Sequence, residues 1–140
     1  MNWLKATISV QTTGKSLVPC TDQISKRLDQ WQVTEGICHL FIQHTSASLV
    51  INESYDPSAR QDMETFMKKI APEGQSWHRH TLEGPDDSPS HMRAMLTATS
   101  LSIPVDRGKL NLGRWQGVYV FEHRAAGSQR QILIRCLDMG

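Results

Sequence analysis

Hydrophobic and polar residues follow two different periods along the chain, and these predict strands mixed with helices. In "WLKATISVQT" the apolar residues Ile8 and Val10 alternate with polar neighbours, as in a half-buried strand. The apolar run from Ile37 to Glu53 is longer than an ordinary strand of about 5 or 6 residues. We therefore expect it to break at "HTSAS" into two strands, with a polar cluster at the break.

Helical periodicity first occurs between Thr21 and Trp31. Apolar residues recur there at i, i+4 and i+7: Ile24, Leu28 and Trp31. Thr21 or Asp22 is a suitable N-cap, and Gly36 lies beyond the end. The pattern predicts an amphipathic helix.

Two further helices are predicted on either side of a long polar loop. Asp56 is the expected cap of the second helix, and Pro57 lies in its first turn. Its apolar stripe consists of Ala59, Met63, Phe66, Met67 and Ile70. The segment Pro72 to Asp87 has about 16 residues without a usable period, and loops of this length are often functional. A third helix follows, with Ser88 as the expected cap and Pro89 in its first turn.

The rest of the chain is predicted to be rich in strands. Its apolar segments are "SLSIPV", "KLNLG", "WQGVYVFEHR" and "QILIRCL". Turn signals separate them at Asp106-Arg107-Gly108 and at Ala126-Gly127-Ser128. Pro104 cannot donate a ladder hydrogen bond, so its strand is expected at a sheet edge or a bulge.

Size and composition restrict the class of protein. A chain of 140 residues has room for one core, so a single domain over residues 1–140 is expected. With 39% apolar residues, 21% charged residues and a formal net charge of +1, neither disorder nor a broad nucleic-acid-binding surface is indicated. No secretory signal opens the chain and no run approaches the ~20 apolar residues that span a bilayer, so we expect a cytoplasmic protein without a membrane partner.

Three of the histidines lie in segments that suggest chemistry: His44 at the strand break, His80 in the long loop and His91 in the first turn of the third helix. A helix N-terminus disfavours the imidazolium, so His91 should stay neutral, the form that ligates metal. Neutral imidazoles with carboxylates nearby suit zinc or a similar divalent ion. Their spacing matches no short ligand motif, so hydrogen-bonded core or surface histidines are the alternative. The three cysteines have no CxxC spacing, which argues against a thiolate zinc site.

Charged residues cluster around the same segments. Asp86 and Asp87 are either site carboxylates or the acids that a helix N-terminus favours. Arginines in the neighbouring loops, among them Arg114 and Arg124, have the geometry to hold a phosphate in bidentate fashion. Trp115 is either the wall of a pocket or the leading residue of an apolar strand.

Five segments together resemble the YjbQ family, also called UPF0047: "QHTSASLVINE", "DPSARQDME", "HTLEGPDDSPSHM", "SLSIPV" and "LGRWQGVYVFEHR". They occur in family order and spacing over nearly the whole chain. The resemblance implies a single α+β domain that forms a homotrimer, with β-sheets packed around the threefold axis and helices on the outside. It also implies a weak, secondary thiamine-phosphate synthase activity.

The resemblance also implies roles for individual residues. A divalent ion, zinc in the first place and magnesium in the second, would be held by His44, His80 and His91. The implied catalytic residues are Glu53, Asp87 and Arg124. The expected substrate-binding residues are Thr45, Ser46, Ser48, Asn52, Asp86, Arg114, Trp115 and Gln116, of which Arg114 is expected from its charge and not from the family. Plain turn chemistry is the alternative for the hydroxyls at the strand break.

Two positions depart from the family pattern. Ser88 stands where the family usually has methionine, and this change suits a helix cap. Arg114 stands where the family usually has threonine, and it adds a cation near the expected pocket.

Three functions are compatible with these residues. The first is transfer, in which a hydroxymethylpyrimidine diphosphate joins a thiazole phosphate with release of pyrophosphate, and the enzyme supplies positioning and charge stabilisation. The second is metal-dependent hydrolysis of a small phosphorylated or amide substrate, with Glu53 or Asp87 as general base. The third is a non-enzymatic trimer that binds a metal or a small anionic metabolite. A hydrolase acts on one substrate with water, whereas the synthase needs both substrates.

Overall fold

The computed structural model describes every residue from Met1 to Gly140, in eight strands and three helices. In chain order these are β1 (Asn2–Gln11), β2 (Ser16–Pro19), α1 (Thr21–Trp31), β3 (Gly36–Ile42), β4 (Ala47–Glu53), α2 (Pro57–Ile70), α3 (Asp87–Leu96), β5 (Ser100–Asp106), β6 (Lys109–Leu110), β7 (Gln116–Glu122) and β8 (Gln129–Asp138). The strands form a large sheet, ordered β1-β8-β3-β5-β6, and a small sheet, ordered β2-β7-β4, with antiparallel pairing throughout. None of the helices is long and apolar enough to cross a membrane.

The two sheets enclose the main hydrophobic core. Ile134 of the large sheet, Leu49 of the small sheet and Leu28 of α1 belong to one cluster of buried apolar side chains. A second cluster lies on the other face of the small sheet, where Tyr119 and Met67 of α2 are buried. Both faces of the small sheet are covered, which explains why β7 is buried along almost its whole length. The chain therefore has the predicted single-domain α+β fold.

The structure confirms the predicted strand break and the second helix. β3 ends at Ile42 and β4 begins at Ala47, so the polar segment "HTSAS" forms the connection and the first residues of β4. The helix α2 spans Pro57–Ile70, and the carboxylate of Asp56 accepts a hydrogen bond from the backbone N–H of Ser58 at 2.9 Å. This is the N-cap geometry that the sequence predicts.

The predicted caps of the other two helices are wrong. α1 begins at Thr21 itself, with Cys20 at the cap position, and the Thr21 hydroxyl accepts a hydrogen bond from the N–H of Val118 on β7, 2.8 Å away, instead of capping the helix. α3 begins at Asp87, so Ser88 lies inside the first turn and not ahead of it. Asp86 occupies the cap position, but its carboxylate bonds an arginine of the β7–β8 connection instead of the helix N–H groups.

Pro104 lies close to the edge of the large sheet, but its strand β5 is not the edge strand that was predicted. The two-residue strand β6 flanks β5, and the N–H of Asn111, directly after β6, donates to the carbonyl oxygen of Pro104 at 2.8 Å. The predicted turn is present between β5 and β6. Arg107 and Gly108 both have positive φ, 53° and 79°, which suits a two-residue hairpin turn.

The outer face of the large sheet is covered by no other element. The strand register aligns Trp3, Leu137, Ile37 and Pro104 in one row across four strands. Trp3 and Ile37 are 59% and 51% exposed, and Phe41, on the same face of β3 as Ile37, is 40% exposed. The polar row Lys5, Arg135, His39 and Ser102 separates Phe41 from this apolar row. Exposed apolar rows of this kind are typical of an interaction surface.

Candidate metal centre

Two imidazoles and one carboxylate meet at the start of α3. His80 Nε2 lies 2.7 Å, and His91 Nε2 3.1 Å, from the same oxygen of Asp87, Oδ2. The three atoms all lie within 4.8 Å of one another. Asp87 and His91 are four residues apart on α3 and share one face of the helix, whereas His80 comes from the long loop before it. We call this group the His80–Asp87–His91 cluster.

The other ring nitrogen of His91 determines its protonation. Nδ1 lies 2.9 Å from the backbone oxygen of Thr45. A carbonyl oxygen only accepts hydrogen bonds, so Nδ1 carries a proton and Nε2 is the ring nitrogen that faces Asp87. Nε2 lies 3.1 Å from the carboxylate oxygen, where either a proton or a cation can bridge the two atoms. Histidines that ligate metals are commonly held by a backbone carbonyl in this way.

Arg124 fixes the orientation of Asp87. Its Nη1 donates to Asp87 Oδ1 at 2.8 Å, its Nε donates to Asp86 Oδ2 at 2.9 Å, and its Nη2 donates to the carbonyl oxygen of Glu83 at 2.9 Å. Burial acts to raise the pKa of Asp87, but the two imidazoles and the guanidinium outweigh it, and this pKa lies below its ordinary value. Asp87 is therefore ionised, with Oδ1 occupied by Arg124 and Oδ2 directed at the histidines.

The cluster fits a divalent ion of the zinc type. Two imidazole nitrogens and one carboxylate oxygen form a donor set that zinc accepts, with a carboxylate contributing one negative charge. Only three protein ligands are present, and catalytic zinc sites keep a fourth position open. The side chains of His80 and His91 are 56% and 36% exposed, so the cluster is accessible from solvent although Asp87 is buried.

Two hollows flank the cluster. The first, of about 480 Å³, lies beside His91 and also includes Thr45 and Met95. The second, of about 240 Å³, lies beside His80 and includes His78. A small molecule in either hollow would lie next to one ligand of the cluster.

The structure leaves His44 outside the cluster, which corrects the predicted set of three histidines. Its Nε2 accepts a hydrogen bond from the backbone N–H of Gln131 at 2.9 Å, and Nη1 of Arg130 lies 3.2 Å from its Nδ1. Both nitrogens face N–H groups of β8 residues, so neither is directed at His80 or His91. Burial and the charge of Arg130 lower the pKa of His44 and keep it neutral. Asp87 takes the place expected for His44.

The serines of the strand break have partners inside the protein. Ser48 is 1% exposed, it shares a 2.8 Å hydrogen bond with His123 Nε2, and it accepts one from Thr97 at 2.5 Å. Ser46 Oγ accepts a hydrogen bond from Arg130 at 3.0 Å. The prediction that Ser48 contacts a substrate is wrong, because its side chain is directed into the core.

Five other predicted site residues lie at the far end of the β4–β7 pair: Asn52, Glu53, Arg114, Trp115 and Gln116. Glu53 pairs with Gln116, whereas Ala47, at the end of β4 near the cluster, pairs with Glu122. Six strand residues separate the two ends, about 20 Å. The carboxylate of Glu53 accepts hydrogen bonds from two backbone N–H groups directly after β4. Within one chain, Glu53 therefore cannot be the general base of this cluster.

Arg114 and Trp115 belong to an exposed aromatic group at that far end. Tyr55 and Trp115 pack edge to face with ring centroids 4.8 Å apart, and the Arg114 guanidinium lies 4.6 Å from the Trp115 ring. The family departure at Arg114 thus provides a cation–π contact far from the cluster.

Sequence reasoning missed His123 and Arg130, two buried polar residues behind the cluster, and it included their buried neighbour Glu122 only as part of the family motif. Burial lowers the pKa of His123 to about 3, so this imidazole stays neutral. A signal was present in the sequence, since Glu122 and Arg130 occupy inward positions of two apolar strands, where a charge needs a partner.

Comparison with known proteins agrees with the motifs. The chain is 42% identical over 125 residues to a UPF0047 protein from Synechocystis sp., covering 89% of this chain and 85% of that one. It is 39% identical over 132 residues to the UPF0047 protein YjbQ of Escherichia coli O157:H7, covering 94% and 95%. The crystal structure of a YbjQ-like protein of unknown function from Sulfolobus solfataricus P2 superposes with a TM-score of 0.87 at 28% identity, covering 96% of each chain. The family profile described as "UPF0047 protein YjbQ-like" matches residues 6–139. The chain therefore belongs to the YjbQ family, UPF0047.

Proposed function

We propose that this chain is a metal-dependent enzyme of phosphorylated metabolites in the cytoplasm, with a divalent ion held by His80, Asp87 and His91. One observation carries the proposal. Nε2 of His91, whose ring is held through Nδ1 by the carbonyl oxygen of Thr45, lies 3.1 Å from the same carboxylate oxygen that has Nε2 of His80 2.7 Å away. Three donors that converge on one point, with an open side toward solvent, are what a catalytic zinc site requires.

The reaction that the family resemblance favours is thiamine phosphate synthesis. The C–O bond between the pyrimidine methylene and the diphosphate breaks, pyrophosphate leaves with the electron pair, and the thiazole nitrogen forms the new C–N bond. A divalent ion supplies charge neutralisation of the leaving pyrophosphate. The chain itself contributes alignment, because Arg124 holds Asp87 and the carbonyl of Thr45 holds His91.

Two features favour this two-substrate reaction over hydrolysis. The hollows on either side of the cluster have room for two small reactants next to one centre. The two carboxylates considered as general base of a hydrolase are not free to act, since Asp87 is held by Arg124 and Glu53 is about 20 Å away along β4.

The test is an assay with both substrates on protein loaded with zinc or magnesium, followed by mass spectrometry of the products. Synthesis predicts thiamine phosphate and pyrophosphate only when both substrates are present. Consumption of one substrate alone would indicate a hydrolase, and metal binding without any turnover would indicate a binding protein. Asp87→Asn should abolish product formation, whereas Asp62→Asn, which changes an exposed carboxylate of α2, should leave it unchanged.

We also propose that three copies of the chain associate through the outer face of the large sheet. The apolar row Trp3, Leu137, Ile37 and Pro104 supports this arrangement, because no element of the chain itself covers it. Closed symmetric oligomers bury such faces.

A further inference from the structure

A buried ion pair lies behind the His80–Asp87–His91 cluster without touching it. Arg130 on β8 and Glu122 on β7 are 6% and 0% exposed. The guanidinium donates to both carboxylate oxygens, with Nε 2.8 Å from Oε1 and Nη2 2.5 Å from Oε2. The hydroxyl of Thr12 donates to Oε1 at 2.5 Å. Ion pairs of this kind seldom stabilise a core better than apolar residues would, so stability alone does not explain this one.

Arg130 holds the connection between β3 and β4. Its Nη2 donates to Oγ and to the backbone oxygen of Ser46, at 3.0 and 3.3 Å, and its Nη1 lies 3.2 Å from Nδ1 of His44. The residue between these two is Thr45, whose carbonyl oxygen receives the Nδ1–H of His91. Arg130 thus contacts the residues on both sides of that carbonyl.

Glu122 holds the chain that leaves β7. Its Oε2 accepts hydrogen bonds from the backbone N–H groups of His123 and Arg124, at 3.0 and 3.1 Å. These two bonds set the direction in which Arg124 leaves the strand. The guanidinium of Arg124 then reaches Oδ1 of Asp87 at 2.8 Å.

We propose that Glu122 and Arg130 are positioning residues of the metal centre, where one ion pair aligns two of its ligands from opposite sides. Arg130 aligns His91 through Thr45, and Glu122 aligns Asp87 through Arg124. The inference rests on the proposed function only in that the cluster binds a divalent ion. Partners that orient metal ligands typically contribute about 10–100-fold to metal affinity.

The test compares zinc affinity with thermal stability in Glu122→Gln and in a matched core variant. Val105→Ala creates a cavity at the far end of β3 and β5, away from the cluster, and lowers stability without touching the network. We expect Glu122→Gln to weaken zinc binding about tenfold or more in competition with a chromogenic chelator. Val105→Ala should bind zinc as the wild type does at a comparable loss of thermal stability. Thr12→Val keeps both charges, so it replaces Glu122→Gln if that variant does not fold, and it should weaken zinc binding in the same direction.

Wild-type zinc affinity in Glu122→Gln or in Thr12→Val, together with a loss of thermal stability, would overturn the inference. If the wild type itself binds no zinc, the proposed function fails separately. The inference is then tested on metal-free protein, by the ¹⁵N chemical shifts of the two ring nitrogens of His91, measured at a pH above the titration range of imidazole. The single Nδ1–H tautomer should be present in the wild type and mixed with the other tautomer in Glu122→Gln, and an unchanged tautomer in the variant would refute the inference.

Discussion

Replacement of Asp87 by asparagine separates the proposed metal-binding role of this side chain from its structural role. Asparagine keeps an oxygen that accepts from Nη1 of Arg124, and its amide N–H can donate to Nε2 of His91 in the Nδ1–H tautomer. In the variant, the acceptor of the hydrogen bond from Arg124 is no longer charged. Because the Arg124 side chain is 28% exposed, this change costs about 1 kcal/mol. We therefore expect the free energy of unfolding of the metal-free variant to lie within about 1 kcal/mol of the wild-type value.

The metal-loaded protein should respond very differently. At a zinc concentration 100 times Kd, binding to the native state alone adds about 2.7 kcal/mol to the free energy of unfolding. For a chain of 140 residues, 1 kcal/mol shifts the Tm by roughly 3–4 °C, so zinc should raise the wild-type Tm by roughly 8–11 °C. Asp87→Asn removes the only anionic ligand of the cluster and should lose most of this shift.

The assay is differential scanning calorimetry with and without zinc, at one protein concentration, with Asp62→Asn as the control for loss of an exposed carboxylate. A zinc-dependent Tm shift of wild-type size in Asp87→Asn would show that Asp87 is not a ligand. A metal-free variant destabilised by more than about 3 kcal/mol would show that the carboxylate serves mainly in a buried ion pair.

Three further predictions concern the core and the assembly. Ser48→Ala leaves the buried Nε2 of His123 without a partner, whereas Thr97 keeps its hydrogen bond to the backbone oxygen of Arg93. It should therefore lower the free energy of unfolding by about 1–3 kcal/mol while the zinc affinity stays unchanged, as chemical denaturation and chelator competition would show. The pKa of His123 is lowered from 6.5 to about 3 in the folded protein. Between pH 6.5 and pH 3, His123 therefore binds a proton only in the unfolded chain. Stability should therefore fall as the pH falls through this window, by up to about 1.4 kcal/mol per pH unit, and His123→Gln should remove this part of the slope in urea denaturation. If three copies associate through the outer face as proposed, Ile37→Asp should convert the trimer to a monomer in light scattering, whereas Phe66→Asp, at an exposed apolar position of α2, should not. A trimer that survives Ile37→Asp would mean that another surface carries the assembly.

Local signals explain which parts of the fold the sequence predicts. Helix α2 runs from Pro57 to Ile70 as expected. Its start and end are set by Asp56, Pro57 and Pro72, which act on backbone only a few residues away. The strand break is equally local, because polar residues interrupt an apolar run. The four-residue strand β2 is too short to show a period, and only its pairing with β7 defines it.

The candidate site was less predictable because its geometry depends on contacts between distant residues. His44 is bonded by groups 86 and 87 residues further along the chain, and no local pattern contains them. Glu53 follows the polar break by only a few residues, yet an extended strand takes it about 20 Å from the cluster. Asp87 was predicted as a site residue, but its role depends on the loop that brings His80 to it.

The central claim is that His80, Asp87 and His91 bind a divalent ion and that His44 does not. Elemental analysis with native mass spectrometry tests it on tag-free protein dialysed against zinc, comparing the wild type with His80→Ala, His91→Ala and His44→Ala. We predict near-stoichiometric metal in the wild type and in His44→Ala, and loss of the ion in the other two variants. A wild type that takes up no metal, or a His44→Ala variant that loses the ion as completely as His80→Ala, would contradict the account.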